Sequence, residues 1–535
     1  MYKLKIKSPE ACIDEIKAHV SVQEIRTCII SFIVGVCIYF PMISERLNCS
    51  DGNLCGIIYR SHTDYDIEDI AGRYLLKYLA HMKSMYVFHW AAVLFGILCL
   101  VAGTILICRI VEIKSQPGML MAQLFVLTTP CFIETFSFYF AADAYLLCFP
   151  LVIVAVYLLH EKKNVIRFLL ATMLMFVSMA FYQAYIFVAV VLFLYVLVRD
   201  LLNENKKWKD ILKGLAWQMG SGILAFTVYI LVNKLLKMIG LIFYQHSRFD
   251  FASIFSGGAL LKAVAGAYRN FFEYFFSMRY INNIWKGRNL FNGAILLIII
   301  VLLGYHVYKQ RKRKGYMLAV IAAVLCMPIA FMGIDIMNWQ EGGATLLMLP
   351  AMGLLYVMAW ALWEKTKEEK TITGLNITGW GLYAVSVYLI VIMCVYLNIY
   401  QLCKLYYLDK TDSMAQRIVE QIELKYPETA QEHGKVFICG DVDEGNYPQN
   451  YRIQQASHIL VGTQACDGMF VDNMQGYFAG WNAYIANNFG VEYEMVWGDA
   501  QKIYDSEFYK NMSVFPAEGS VQKNEDGVVI VKLKR

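Results

Sequence analysis

Charged residues are scarce in this chain: Asp, Glu, Lys and Arg make up 17% of its 535 residues, against roughly 25% in ordinary soluble domains. Hydrophobic residues reach 58%, aromatics 15%, and the mean hydropathy is +0.46. A soluble globular enzyme is thereby excluded, and the length reads as a series of membrane spans rather than as several soluble domains. A large excess of one charge is missing as well. The 48 basic residues outnumber the 43 acidic ones by a formal +5, which leaves no concentrated basic face for nucleic acid. Metal-ligand spacings of the CxxC or HExxH kind do not occur, nor do a phosphate-cradling glycine loop, internal repeats or low-complexity tracts. The 14 cysteines do not make a disulfide framework. Most, such as Cys28, Cys99, Cys148 and Cys394, fall in apolar runs, where cysteine behaves as a small hydrophobe. Cys49, Cys55, Cys439 and Cys466 read as exposed, and pairing within each couple stays open.

What the chain has in quantity is apolar sequence. A span takes about 20 apolar residues, and eleven stretches serve as candidates: 27–43, 86–108, 118–134, 140–159, 165–181, 184–202, 211–233, 290–308, 316–334, 344–363 and 376–402. The first follows a basic stretch containing Lys3, Lys5, Lys7, Lys17 and Arg26 and lacks a small-residue cleavage site, so it reads as an uncleaved anchor. Lysine and arginine in short loops are retained on the cytoplasmic side. The N-terminus and segments 109–114, 162–167, 199–213, 309–314 and 365–370 are basic, whereas the turns 130–143, 181–185 and 332–341 carry neither residue. This alternation places the N-terminus in the cytoplasm. By parity it places outside the long segments 44–85 and 234–289 and the chain after about Leu405.

The expected organisation is a transmembrane catalytic region, 1–405, followed by an extracytoplasmic region, 406–535. The tail gains charges, turn pairs at Glu444-Gly445 and Asp467-Gly468, and strand-like runs at 435–438 and 528–533, the pattern of a small α/β domain. Its aromatics Tyr477, Phe478, Trp481, Tyr484, Tyr493 and Trp497 fit a domain core, the simpler reading, or a surface that stacks on sugar rings. Segment 234–289 holds Tyr268, Phe271, Phe272, Tyr274, Phe275 and Phe276 near Arg269 and Arg279. It reads as an interfacial amphipathic hairpin rather than a span.

Three places offer chemistry on the expected outer side. The first outer loop carries Asp51, Asp64, Asp66, Glu68 and Asp69, with Arg60 inside it and Arg73 close behind. Carboxylates there can deprotonate a hydroxyl or hold a cation, and an arginine can grip a phosphate in a fork; an acidic loop is also simply well solvated. Asp143 opens the fourth span, where an ionisable residue lines a cavity or substrate path, or merely caps a helix. Gln183 stands between Tyr182 and Tyr185 at a tight turn, whose polarity alone can account for it. Asp335 and Glu341 follow the ninth span, and loop solvation explains them.

These residues carry a resemblance. The loop from Asp51-Gly52 through Tyr59-Arg60, Asp66, Glu68 and Gly72-Arg73, the stretch from Thr129-Pro130 through Phe138-Tyr139 to Asp143, and Tyr182-Gln183-Ala184-Tyr185 follow the order of the GtrII-type glucosyltransferase family. The tail adds Phe515–Ser520 and a final hydrophobic strand. The chain resembles these polytopic membrane proteins, bacterial relatives of the GT-C glycosyltransferases. The resemblance implies about eleven transmembrane helices in a plasma-membrane protein with a large first outer loop. It implies a polyprenyl-phosphate sugar, commonly undecaprenyl-phosphate glucose, as donor and a cell-surface glycan as acceptor. A first-loop carboxylate would act as general base in an inverting transfer: Asp51 is the first choice and Asp66 the second. Arg73, then Arg60, would meet the departing phosphate, and Glu68, Asp143, Tyr182 and Gln183 would bind substrate. No cofactor is required by this reading, and a divalent cation stays open. Tyr65 and Ile67 stand where the family usually has tryptophans. A transporter or flippase of lipid-linked sugars, and a surface-glycan polymerase, are the rival readings.

Overall fold

A long apolar segment removed from water must pair its own backbone polar groups, and a helix does this within one stretch of chain. The computed structural model, which describes residues 20–49, 52, 72–82, 88–161, 163–241, 258–277, 287–337, 344–368, 375–440, 460, 480–496 and 500–533, is accordingly mostly helical. The elements are α1 (Val22–Ile38), α2 (Phe40–Ser44), α3 (Tyr74–Met82), α4 (His89–Ile110), α5 (Gln116–Leu127), α6 (Pro130–Ser137), α7 (Ala142–Glu161) and α8 (Val165–Phe181). A 3-10 turn, Gln183–Tyr185, leads into α9 (Ile186–Leu201). Then come α10 (Trp208–Met238), α11 (Ala259–Phe276), α12 (Gly287–Lys309), α13 (Lys314–Phe331), α14 (Gly333–Met337), α15 (Leu354–Glu368) and α16 (Leu375–Lys425).

Among the described residues six helices are long and apolar enough to cross a membrane, α4, α7, α9 with its leading turn, α10, α12 and α16, and the bent pair α5–α6 makes up to seven. The expected count of about eleven is not confirmed. The reasons are local. Pro130 forces Thr129 into an extended conformation and splits 118–134 into two helices inclined by 48°. The carbonyls freed there are taken up by hydroxyls: Thr129 Oγ1 donates to Phe125 O (2.8 Å) and Tyr39 Oη to Leu127 O (2.6 Å). The stretch 344–363 is not one helix either. It passes through a 3-10 turn, Leu346–Met348, and a turn containing Pro350 before α15 starts. This turn lies against the break at Thr129, close enough that a methyl group on Gly353 would run into Thr129 Oγ1. The fifth and ninth candidates are apolar helices of less than span length by the same measure, and Pro41 interrupts the first.

Burial sorts the helices. In α4, 67% of the most apolar window is covered by protein, against 22% in α10 and 28% in α12. The former is central and the latter two are peripheral. Close approach of α4 to α7 is allowed by Gly103, where a Cβ would lie 2.7 Å from Phe149, the use of small residues expected where helices pack without a hydrophobic driving force.

One end of the bundle gathers the basic segments. The Arg109 guanidinium at the end of α4 forks onto Glu24 of α1 (2.6 and 2.9 Å), and Glu364 of α15 meets Ser115 at the start of α5. Arg199, 8% exposed, bridges Glu112 (3.2 Å) and Asp200 (2.8 Å) and donates to Ile110 O. Arg313 reaches the carbonyl of Lys206 (3.0 Å), and Lys163 that of Asp210 (3.1 Å).

From the last apolar stretch the 51-residue α16 leads into the tail. There α17 (Pro427–Gln431), β1 (Lys435–Cys439), α18 (Gly480–Phe489), β2 (Glu494–Met495), α19 (Ala500–Asp505), α20 (Glu507–Asn511), β3 (Val521–Lys523) and β4 (Val529–Lys532) build a small sheet of order β2-β1-β4-β3. β1 pairs parallel with β2 and β4, and β3 pairs antiparallel with β4. Trp481, Tyr484 and Tyr493 are buried, so these three serve the core and do not offer a sugar-stacking face. Cys49 and Cys439, expected to be exposed, are buried, since each sits in a segment that packs inward. Tyr477, Phe478, Trp497, Cys55 and Cys466 lie outside the described residues.

Candidate functional site

At the end of the bundle opposite the basic segments, the chain returns from the first long loop at Gly72. Its φ is +72°, a left-handed value that glycine adopts without steric cost, and a Cβ there would lie 2.7 Å from Tyr229 Oη. This turn delivers Arg73 to the start of α3. The Arg73 Nη1 donates to Tyr145 Oη (2.6 Å), and the guanidinium carbon lies 4.6 Å from the centre of the Tyr182 ring and 5.4 Å from that of Tyr145. The two rings are themselves stacked, 4.2 Å apart and 16° from parallel. A planar cation on electron-rich faces gains about 0.5 to 2 kcal/mol as it is withdrawn from water, and Arg73 is held in one orientation.

Tyr145 comes from the second turn of α7 and Tyr182 from the C-terminal cap of α8, where extended backbone (φ −158°, ψ 114°) ends the helix. Gln183 follows in the 3-10 turn and is 6% exposed; its Nε2 donates to Tyr229 Oη (2.7 Å), and that hydroxyl donates to Gly72 O (3.1 Å). Tyr74 stacks on Tyr229 at 6.4 Å. Burial, with the Tyr229 hydroxyl beside it, pushes the Tyr74 phenol well above its ordinary value, so it remains a neutral partner.

The start of the same loop is fastened nearby in the chain fold. Cys49 N–H donates to Ser137 O (3.0 Å), and Tyr139 Oη to Glu45 O (3.0 Å). Both ends of segment 50–71 therefore attach to residues between Ser137 and Tyr145.

The expected site residues divide into two groups. Arg73, Tyr182 and Gln183 are brought together. Asp143 opens α7 two residues ahead of Tyr145, half-buried, and accepts the N–H of Ala144 (2.9 Å). Asp51, Arg60, Asp66 and Glu68 lie outside the described residues, as does Glu341. Tyr145 and Tyr229 were not singled out by the sequence, although a phenol inside an apolar run is the available signal. Asp335 departs from its expected solvation: it is 4% exposed and accepts from Asn270 Nδ2 (3.0 Å) and from the Ala344 N–H. It thus ties α11 to the chain ahead of the 3-10 turn. A second buried arginine, Arg288, donates to the carbonyls of Tyr274 (3.0 Å) and Phe275 (3.3 Å) and closes the end of α11. Among the described residues no cluster of three or more His, Cys, Asp or Glu side chains is arranged to hold a metal ion.

The apolar helices of spanning length are consistent with a helical membrane protein, and at one end of the bundle an arginine lies on tyrosine rings. The chain belongs to the GtrII glucosyl transferase family: the family model described as Glucosyl transferase GtrII matches residues 69–358, just over half of its length. The matched span includes Gly72, Arg73, Asp143, Tyr145, Tyr182, Gln183, Tyr229 and Asp335, and begins after Asp51, Arg60, Asp66 and Glu68. No curated protein and no solved structure matches the chain.

Proposed function

We propose that the protein moves a glucosyl residue from a polyprenyl-phosphate donor, such as undecaprenyl-phosphate glucose, to a cell-surface glycan on the extracytoplasmic side of the plasma membrane. The single observation that carries this reading is the Arg73 guanidinium held against Tyr145 and Tyr182 at the end of the bundle away from the basic segments. Transfer breaks the bond between the sugar and the phosphate oxygen, and negative charge grows on the lipid phosphate. A preoriented guanidinium stabilises that charge as it forms. In a GT-C-like inverting transfer, Asp51, or Asp66 in its place, removes the proton from the attacking acceptor hydroxyl. Glu68 and Arg60 belong to the same loop and bind substrate in this reading, Asp143 and Tyr182 line the path, and a divalent cation stays open.

Purified full-length protein in lipid nanodiscs, given undecaprenyl-phosphate glucose and surface polysaccharide, is expected to release undecaprenyl phosphate and glucosylate the polysaccharide. Donor left intact under these conditions, or carried unchanged across a sealed bilayer, would overturn the assignment in favour of transport. Thiol labelling of single-cysteine variants is expected to find position 143 accessible from outside and the 309–314 loop from inside; the reverse pattern removes the extracytoplasmic site.

A further inference from the structure

Gly72, Gln183 and Tyr229 come from three distant segments and share one hydroxyl. The Gln183 amide donates to Tyr229 Oη (2.7 Å), and Tyr229 Oη donates to the Gly72 carbonyl (3.1 Å), so the phenol accepts and donates at once. Tyr229 is 6% exposed and Gln183 6%, which places the relay away from water, where a hydrogen bond left unmade costs most. Its far end holds the residue immediately before Arg73. The Tyr229 backbone carbonyl also receives Asn233 Nδ2 (3.1 Å), and the Tyr229 ring packs against Tyr74 and Phe226. The phenol is therefore supported on several sides.

We infer that Tyr229 and Gln183 are positioning residues for Arg73: the relay fixes the left-handed turn at Gly72 and so aims the guanidinium along the Tyr145 and Tyr182 rings. Gln183, first expected to bind substrate, acts on the donor through Tyr229 and Arg73. The inference rests on the phosphate role of Arg73 stated above. It adds a prediction that role alone does not make, because removal of one phenolic oxygen, with the ring kept, loosens the turn without touching any residue on the substrate.

The test uses full-length protein in nanodiscs with undecaprenyl-phosphate glucose as donor and surface polysaccharide as acceptor. Tyr229→Phe is expected to raise the donor KM about tenfold, the equivalent of one buried hydrogen bond, and to leave the acceptor KM unchanged. Hydrogen exchange at residues 72–76 is expected to speed up in the same variant. Gln183→Met is expected to shift both readouts the same way by a smaller factor. In an Arg73→Ala background, Tyr229→Phe is expected to add nothing, since residues acting through one group are not additive. Additive effects, or equal rises in both KM values, mean that Tyr229 is only structural and overturn the inference. Unchanged exchange at 72–76 overturns the relay itself. An Arg73→Ala enzyme with unaltered donor KM removes the phosphate role instead, while the exchange experiment still decides separately whether the relay holds the turn.

Discussion

The two ends of the helical bundle solve different problems with charged side chains. At the end holding the basic segments, Arg109 and Arg199 form salt bridges with Glu24 and Glu112 from other parts of the chain, and backbone carbonyls take up Arg313 and Lys163. At the opposite end Arg73 lies on two tyrosine rings and a phenol oxygen. An ion pair neutralises its members and ties helices together, whereas an aromatic cradle orients a cation. The first arrangement suits a frame. The second orients the guanidinium on which the proposed function rests.

The comparison can be broken experimentally. Asp51→Asn, which removes the proposed base, is expected to lower kcat by about 100- to 10,000-fold with normal membrane insertion. A full-rate variant in the donor assay would falsify the base assignment. Arg73→Ala is expected to lower kcat/KM for the donor by roughly 100-fold, about 2.7 kcal/mol, as for loss of one preoriented partner of a developing anion. Steady-state kinetics in nanodiscs measure it, and a loss confined to the acceptor would contradict the phosphate role. At the framing end Arg199→Met leaves Asp200 and Glu112 without that guanidinium. Asp200 keeps Lys206 (2.6 Å) and Glu112 is largely exposed, so the expected cost is about 1 to 2 kcal/mol of stability, mainly from hydrogen bonds to the lost guanidinium, seen as an earlier thermal transition in detergent, while each folded molecule keeps its kcat/KM. An unshifted transition with reduced catalysis would reverse the roles given to the two ends.

Smaller still is the expected effect of Glu24→Gln. The pair with Arg109 is partly accessible, with side chains 11% and 26% exposed, and about 1 kcal/mol is the upper range for such pairs. A loss of several kcal/mol in the same thermal assay would show that α1 depends on this pair far more than its exposure allows.

Much of the fold was legible because hydropathy is local. Stretches 86–108, 140–159, 184–202, 211–233, 290–308 and 376–402 each coincide with a helix able to span, and the strand-like runs at 435–438 and 528–533 coincide with β1 and β4. The departures have local causes. Pro130 and Pro350 stand in apolar sequence, so composition alone reads through them, while the backbone turns and the freed carbonyls find Tyr39 and Thr129. Asp335 looks like a loop acid until Asn270, 65 residues earlier, is seen to donate to it.

The candidate site was legible only in pieces. Arg73, Tyr182 and Gln183 stand out as polar or aromatic residues at the ends of apolar runs. Their connection does not, because Tyr229 is 157 residues from Gly72 and 46 from Gln183, and nothing in its own helix marks it. By itself the amino-acid order determined a mostly helical chain fit for a lipid bilayer, the segments that carry positive charge, and a tail with strands, since each follows from the polarity of neighbouring residues. Tertiary structure decided where the helices break, which acids and thiols are buried, and that one phenol joins three segments behind Arg73. Those outcomes depend on which side chains meet across the bundle, and packing alone selects the meetings.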